Sequence, residues 1–180
     1  MISDHDRSGW FGASDARFIM GNWNTKTFAR FWMEKLGMVE NRFMTPATLA
    51  GTHFEHRILE HMGIHEMDRQ IRCRRLRLRV NLDGEDSWII HEVKTYSKPE
   101  FKIPTNYWQQ CQIQMWAAKK QCQIDAYRLE PEDYQNFFTP IEENRLSHHP
   151  IKYDKIWMET ECIPRLEYLS HCLKRRMNPW

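Results

Sequence analysis

Two acidic residues and a lysine lie close together near the middle of the chain, as Asp83, Glu92 and Lys94. Glu92 and Lys94 belong to an otherwise apolar run, residues 88–94, which predicts a central strand. Side chains two apart on a strand point to the same face, so the carboxylate and the ammonium should enter one pocket while Val93 packs behind them. We expect Asp83, at the end of a neighbouring strand, to reach the same pocket.

This set of side chains suits the hydrolysis of a phosphodiester with the help of Mg²⁺, or alternatively Mn²⁺. Mg²⁺ prefers oxygen ligands, and a bound metal can activate water and neutralise the charge of a phosphate. We expect Asp83, Glu92 and the Val93 carbonyl to bind the metal, and Lys94 to orient or help deprotonate the attacking water. Glu55, from an upstream helix, could hold a second metal or the water. An exposed, solvated hairpin is the alternative interpretation of the same pattern.

Secondary-structure signals around these residues predict an α/β fold. Capping residues and stop signals predict helices over residues 14–20, 25–36, 45–62 and 106–120, and a closing helix that starts near Pro164. From Ile71 to Val80, leucines alternate with arginines, which predicts a strand with one apolar and one basic face. That strand should form a hairpin with the strand carrying Glu92, and a further strand is expected over residues 124–129. The order indicates a small mixed sheet flanked by helices.

Length and composition limit the class of protein. With 180 residues, of which 41% are hydrophobic, we expect one domain spanning residues 1–180. No apolar run approaches the roughly 18 residues of a membrane span, and the N-terminus shows no secretory pattern, so we expect a cytoplasmic protein that does not bind a membrane. The five cysteines are scattered and the histidines form no His-Glu-x-x-His pattern, so neither an iron–sulfur cluster nor zinc is expected.

Five blocks of the sequence, in order between Arg7 and Trp116, resemble the lambda-exonuclease-like, or YqaJ-type, viral recombinase nucleases of the PD-(D/E)xK superfamily. The blocks are residues 7–14 (RSGWFGAS), 51–55 (GTHFE), 81–84 (NLDG), 92–94 (EVK) and 110–116 (QCQIQMW). The resemblance implies a restriction-endonuclease-like core. It also implies catalytic roles for Asp83, Glu92 and Lys94, with Glu55 as an additional acid and Gln110 as a supporting polar residue.

The resemblance further implies an exonuclease of phage-type recombination, acting in the host cytoplasm or at the nucleoid. Such an enzyme starts at a duplex DNA end and degrades one strand 5′ to 3′, leaving a 3′ overhang for a single-strand annealing protein. Arg7 and Ser14 match positions that bind the terminal 5′ phosphate, and Asn81 stands where the family has a phosphate-binding serine. A homo-oligomer, a trimer by resemblance, is implied as well. A structure- or sequence-directed endonuclease and a catalytically idle DNA-end-binding protein are the alternatives.

Two further features allow a functional and a structural interpretation. The arginines between residues 72 and 79 could follow a DNA backbone, with Arg75 and Arg77 in contact, or could form a solubilising face of a strand. The net charge of +2 is small, so any DNA-binding surface must be local. Trp10 and Phe11 could stack on terminal bases or could belong to the core.

Overall fold

A five-stranded sheet with helices on both faces forms the centre of the computed structural model, which describes residues 8–39 and 45–180. The helices are α1 (Ala16–Ile19), α2 (Lys26–Lys35), α3 (Pro46–His61), α4 (Thr105–Ala118), α5 (Lys155–Trp157) and α6 (Ile163–Arg175). The predicted helix starts at Thr25 and Thr45 are confirmed. In each case the threonine Oγ1 accepts a hydrogen bond of 3.1 Å from the backbone N–H three residues further on, which satisfies a donor that the helix leaves unpaired.

The strands are β1 (Glu66–Met67), β2 (Gln70–Cys73), β3 (Leu78–Asn81), β4 (Gly84–Glu85), β5 (Ile89–Tyr96), β6 (Gln121–Arg128) and β7 (Leu146–Ile151). The main sheet has the order β1-β4-β5-β6-β7. Strands β5 and β6 are parallel, with α4 as their crossover, and the other neighbours are antiparallel. The predicted mixed sheet flanked by helices is therefore confirmed.

The strand predicted from Ile71 to Val80 is wrong in its extent and in its partner. The chain turns at residues 74–77, and β2 pairs with β3 in a separate two-stranded sheet that places Ile71 opposite Val80. Strand β5 pairs instead with the short β4 and with β6. The turn contains arginines and a buried leucine and lacks the Gly, Pro, Asn or Asp that usually signal a turn, so it was hidden within the alternating pattern.

The first predicted helix also starts differently. A 3₁₀ turn, Ala13–Asp15, precedes the four-residue α1, and the Asp15 carboxylate accepts a hydrogen bond of 2.8 Å from the backbone N–H of Gly12. Ser14 therefore lies inside the turn, with its side chain exposed, and does not cap a helix. At the other end of the chain, α6 starts next to Pro164 as predicted, but α5 and a π-helical turn, Met158–Cys162, lead into it.

Two apolar layers hold the main sheet between them. On the face that carries Ile90 and Ile124, the layer includes buried residues of α2, α4 and α6. On the other face, Val93 and Tyr127 pack against an apolar stripe of α3, which includes Phe54. Because β5 is covered on both faces, its alternating side chains have fixed directions: Glu92 and Lys94 face the side of α4, and Val93 faces α3.

None of the described helices combines the length and the apolar character that a membrane crossing requires.

Candidate active site

A cleft of about 200 Å³ opens where β5, α3, α4 and the N-terminal segment meet. Its wall includes all five residues for which the sequence predicts a catalytic or supporting role: Glu55, Asp83, Glu92, Lys94 and Gln110. The prediction that these side chains come together is therefore met by the geometry. The solvated hairpin does not describe this region, because Glu92 is only 1% exposed.

The Glu92 carboxylate is the most constrained group of the cleft. Its Oε1 accepts hydrogen bonds from the Lys94 ammonium and from Gln110 Nε2, the latter at 2.5 Å, and its Oε2 accepts one from Gln114 Nε2 at 2.5 Å. The two glutamines are four residues apart on α4, so they lie on the same helix face. A buried carboxylate needs such donors, and three of them hold Glu92 in one orientation.

Asp83 occupies the loop between β3 and β4 and is anchored to β5. Its Oδ2 accepts a hydrogen bond of 3.0 Å from the backbone N–H of Val93, the residue next to Glu92. This is possible because β4 pairs only with Ile90 and His91, which leaves the edge of β5 open at Val93. The loop thus brings the Asp83 carboxylate to the same end of the cleft as Glu92.

Three carboxylates share this cleft, and their pKa values reflect it. Burial, followed by repulsion from Glu92 and Glu55, raises the pKa of Asp83 well above its usual range. Burial, followed by repulsion from Glu92, raises the pKa of Glu55 to about 7. For Lys94, burial acts to lower the pKa, but attraction to Glu92 and Asp83 outweighs it and leaves the pKa above its ordinary value. The ammonium therefore stays charged at neutral pH.

The donor set fits a divalent cation. Asp83, Glu92 and Glu55 offer carboxylate oxygens, which Mg²⁺ and Mn²⁺ prefer over softer ligands. When all three are ionised, Lys94 offsets only part of their negative charge, and the raised pKa values of Asp83 and Glu55 express this imbalance. A cation between them would relieve it. The metal-binding roles of these residues, and of the predicted Val93 carbonyl, remain predictions.

Two residues that sequence analysis did not select extend the donor set on the side of Glu55. Ligand atoms of Glu55, His56 and Asp68 all lie within 4.8 Å of one another, and His56 Nε2 is 3.2 Å from Asp68 Oδ2. Asp68 comes from the turn between β1 and β2, where it has a φ of 59°. Since no sequence spacing links it to Glu55, only the fold could bring them together.

The N-terminal segment and β3 form another part of the wall. Ser14 and Asn81, both predicted to bind a terminal phosphate, line the cleft together with Gly12. The structure therefore places these two predicted residues next to the carboxylates. Arg7, the third predicted phosphate ligand, lies outside the described residues.

The predicted DNA-contacting arginines have different surroundings. The Arg75 guanidinium pairs with Glu167 of α6, and Arg75 does not line the cleft. The Arg77 guanidinium lies 5.8 Å from the ring centroid of Trp10, which does line the cleft. Of the two aromatic residues for which stacking and core roles were both open, Phe11 is fully buried in the core and Trp10 borders the cleft.

Three further polar residues are buried in the structure, namely Gln112, Gln114 and Arg79. Gln112 and Gln114, two polar residues of α4, are both fully buried. Gln114 supports Glu92, whereas Gln112 donates a hydrogen bond of 2.9 Å to the Lys152 carbonyl and has no contact with the cleft carboxylates. Arg79, which the alternating pattern placed on a basic strand face, is 5% exposed and lines the cleft.

Comparison with solved structures identifies proteins of the same fold. A crystal structure of an alkaline exonuclease from Laribacter hongkongensis has a TM-score of 0.69 and 17% identity, covering 94% of this chain and 90% of that one. A phage-related exonuclease from Haemophilus somnus 129PT has a TM-score of 0.60 and 15% identity, covering 92% of each chain. No protein-family model and no curated protein matches the sequence. The fold implied by the motif resemblance, a mixed sheet flanked by helices as in these two exonucleases, is confirmed.

Proposed function

We propose that this chain, which has the fold of the lambda-exonuclease-like nucleases, is a metal-dependent DNA exonuclease that hydrolyses phosphodiesters from duplex ends. The observation that carries the proposal is the buried Glu92, held by three hydrogen bonds beside Asp83 and Lys94 in an open cleft. Burying this many charged groups costs stability, and such clusters are characteristic of sites that bind a ligand or carry out a reaction. The names of the two similar structures agree with a nuclease.

The roles of the side chains follow from their environments. A bound Mg²⁺ or Mn²⁺ would make water nucleophilic and neutralise the charge of the phosphate. Lys94 would orient the attacking water and offset the charge that develops on the phosphate. Because its raised pKa keeps it an ammonium at neutral pH, it would not accept a proton from the water. Glu55, which lines the same cleft as Asp83 and Glu92, would hold the metal or the attacking water. Gln110 and Gln114 would keep Glu92 in a single orientation.

We further propose that the enzyme works 5′ to 3′ and leaves 3′ overhangs. This finer statement rests on the motif resemblance and on the positions of Ser14 and Asn81, which line the cleft beside the carboxylates. Polar groups in such a place would hold a strand end without reading its sequence. The annealing partner, the trimer and a role in phage recombination remain predictions of the resemblance. An endonuclease on the same fold is the alternative function.

One experiment separates an exonuclease from an endonuclease. Linear duplex DNA with a 5′ phosphate, the same duplex with a 5′ hydroxyl, and a closed circular duplex are incubated with the protein and Mg²⁺. We expect the linear molecules to be degraded, the phosphorylated one faster, and the circle to be spared. Arg7→Ala should reduce the advantage of the phosphorylated end. Cutting of the circle would favour the endonuclease, and absence of cutting on every substrate would favour an idle DNA-end-binding protein.

A further inference from the structure

A buried arginine on β3 lines the cleft without having a place in the mechanism above. Arg79 is 5% exposed, and its neighbours Leu78 and Val80 are fully buried in the core. Side chains alternate along a strand, so Arg79 and Asn81 share the other face of β3, and both line the cleft. The strand thus presents a guanidinium and an amide to the cavity that contains the three carboxylates.

The backbone of Arg79 is fixed on the N-terminal segment. Its N–H donates a hydrogen bond of 2.7 Å to the Phe11 carbonyl, and the Phe11 N–H donates one of 2.7 Å to the Arg77 carbonyl. Gly12 and Ser14 follow directly after Phe11 and line the same cleft. Because the strand and the segment are joined in this way, the Arg79 guanidinium and the polar groups around Ser14 have a defined relative position, which reduces the entropy lost on binding.

The charge of the cleft indicates a role for Arg79. Among the described residues that line it, the cations are Lys94 and Arg79, and Lys94 is hydrogen-bonded to Glu92. A DNA strand must bring its phosphates close to three carboxylates, and a guanidinium in the cleft wall would offset part of the repulsion beside the proposed metal. A guanidinium has five N–H donors in a planar fork that matches phosphate oxygens, so it can bond to protein groups and still bind a phosphate.

Two more arginines, Arg72 and Arg77, lie beside the wall of the cleft. The guanidinium carbons of Arg72 and Arg77 lie 5.9 Å and 5.8 Å from the ring centroid of Trp10, a residue of the cleft wall. Contacts of this kind hold cations over an aromatic face. Positive charge therefore continues from the rim into the cavity, as expected for a path that a polyanion follows. Arg75, on the same hairpin but paired with Glu167, lies off this path.

We infer that Arg79 binds a phosphate group of the DNA strand inside the cleft and so sets the position of the strand relative to the carboxylates. The inference rests on the proposed function. The phosphate can be the monoester at a 5′ end or a diester within the strand, since both offer the same oxygens to a guanidinium.

The test measures DNA binding in protein that cannot turn over. All variants carry Lys94→Ala, and the Kd values of fluorescent duplexes with a 5′ phosphate or a 5′ hydroxyl are measured in Mg²⁺ at several salt concentrations. Arg79→Gln removes the charge while retaining a shorter polar side chain, and Arg79→Lys keeps the charge without the fork. Arg75→Ala is the matched control from the same hairpin. Thermal unfolding shows which variants are folded.

We expect Arg79→Gln to raise Kd about tenfold or more, Arg79→Lys to raise it less, and Arg75→Ala to leave it within about twofold of the parent. A loss confined to the phosphorylated duplex assigns the terminal monoester. An equal loss on both duplexes, with a salt slope lower by about 1, assigns a diester. The inference would be overturned by an unchanged Kd in folded Arg79→Gln, or by a loss of affinity that Arg75→Ala reproduces. It would also be overturned by an equal loss of affinity on both duplexes with an unchanged salt slope. Failure of the proposed function would be seen separately, as absence of Mg²⁺-dependent cleavage by the unmodified protein.

Discussion

Without a bound metal, the protein should lose stability as the pH rises towards 8, and Glu55 should be a main cause. Its pKa is about 7 in the folded protein against an ordinary 4.5, so folding favours the protonated carboxyl. The stabilisation from this group is then fully present below pH 4.5 and is lost as the pH rises through 7. The shift corresponds to about 3 kcal/mol in total, and linkage places about 2 kcal/mol of the loss between pH 5.5 and 8.

The assay is urea unfolding in EDTA at pH 5.5 and pH 8, with wild type and Glu55→Gln. The substitution removes the titrating group but keeps its size. It also removes the repulsion that helps raise the pKa of Asp83, which changes the difference between the two proteins in the same direction. The stability of Glu55→Gln relative to wild type should rise by about 2 kcal/mol between the two pH values. An excess of Mg²⁺ should restore the stability of the wild type at pH 8, because a cation replaces the proton as the partner of the carboxylates. Parallel pH profiles for the two proteins would refute this account of the cleft.

Three other substitutions, together with one control, test separate contacts. Lys94→Ala should abolish Mg²⁺-dependent cleavage of linear duplex while leaving DNA affinity largely intact; normal turnover would contradict the role assigned to the ammonium. Gln114→Ala should lower metal affinity or turnover about 10- to 100-fold by releasing Glu92 Oε2, whereas Gln112→Ala, on the same helix, should change only unfolding free energy. Asp125→Asn should destabilise the protein by about 1–3 kcal/mol, more at pH 5.5 than at pH 8. The Asp125 Oδ2 lies 2.8 Å from the Nδ1 of His91. Burial acts to lower the pKa of His91, but the interaction with Asp125 outweighs burial and raises this pKa. The stabilisation is therefore present at low pH and lost as the pH rises. An equal loss at both pH values, measured by urea unfolding, would contradict that pairing.

Local signals were sufficient to predict most of the helices and the shared face of Glu92 and Lys94. Thr25 and Thr45 cap their helices, and the apolar stripe of α3 packs as its spacing indicates, because both effects act within a few residues. Glu92 and Lys94 share a face because strand periodicity requires it. The approach of Asp83 was expected from its place at the end of a neighbouring strand, but the strand pairing beside it, β4 with β5, differs from the predicted hairpin.

What could not be predicted depends on contacts between distant segments. The turn at residues 74–77 contains no Gly, Pro, Asn or Asp. It is stabilised by burial of Leu76 and by the contact of β3 with the N-terminal segment. That contact also turns Arg79 from an apparent surface residue into part of the cleft wall. The order of β7 beside β6, and the approach of Asp68 to Glu55, are likewise products of the assembled fold.

That Asp83 and Glu92 bind a divalent cation in the cleft is tested most directly by measuring Mn²⁺ binding through the electron paramagnetic resonance of unbound Mn²⁺. The wild type should bind Mn²⁺, and Asp83→Asn and Glu92→Gln should each weaken binding at least about tenfold, while Glu132→Gln, at an exposed acid elsewhere, should not. Equal Mn²⁺ affinity in the wild type and both cleft variants would contradict the claim.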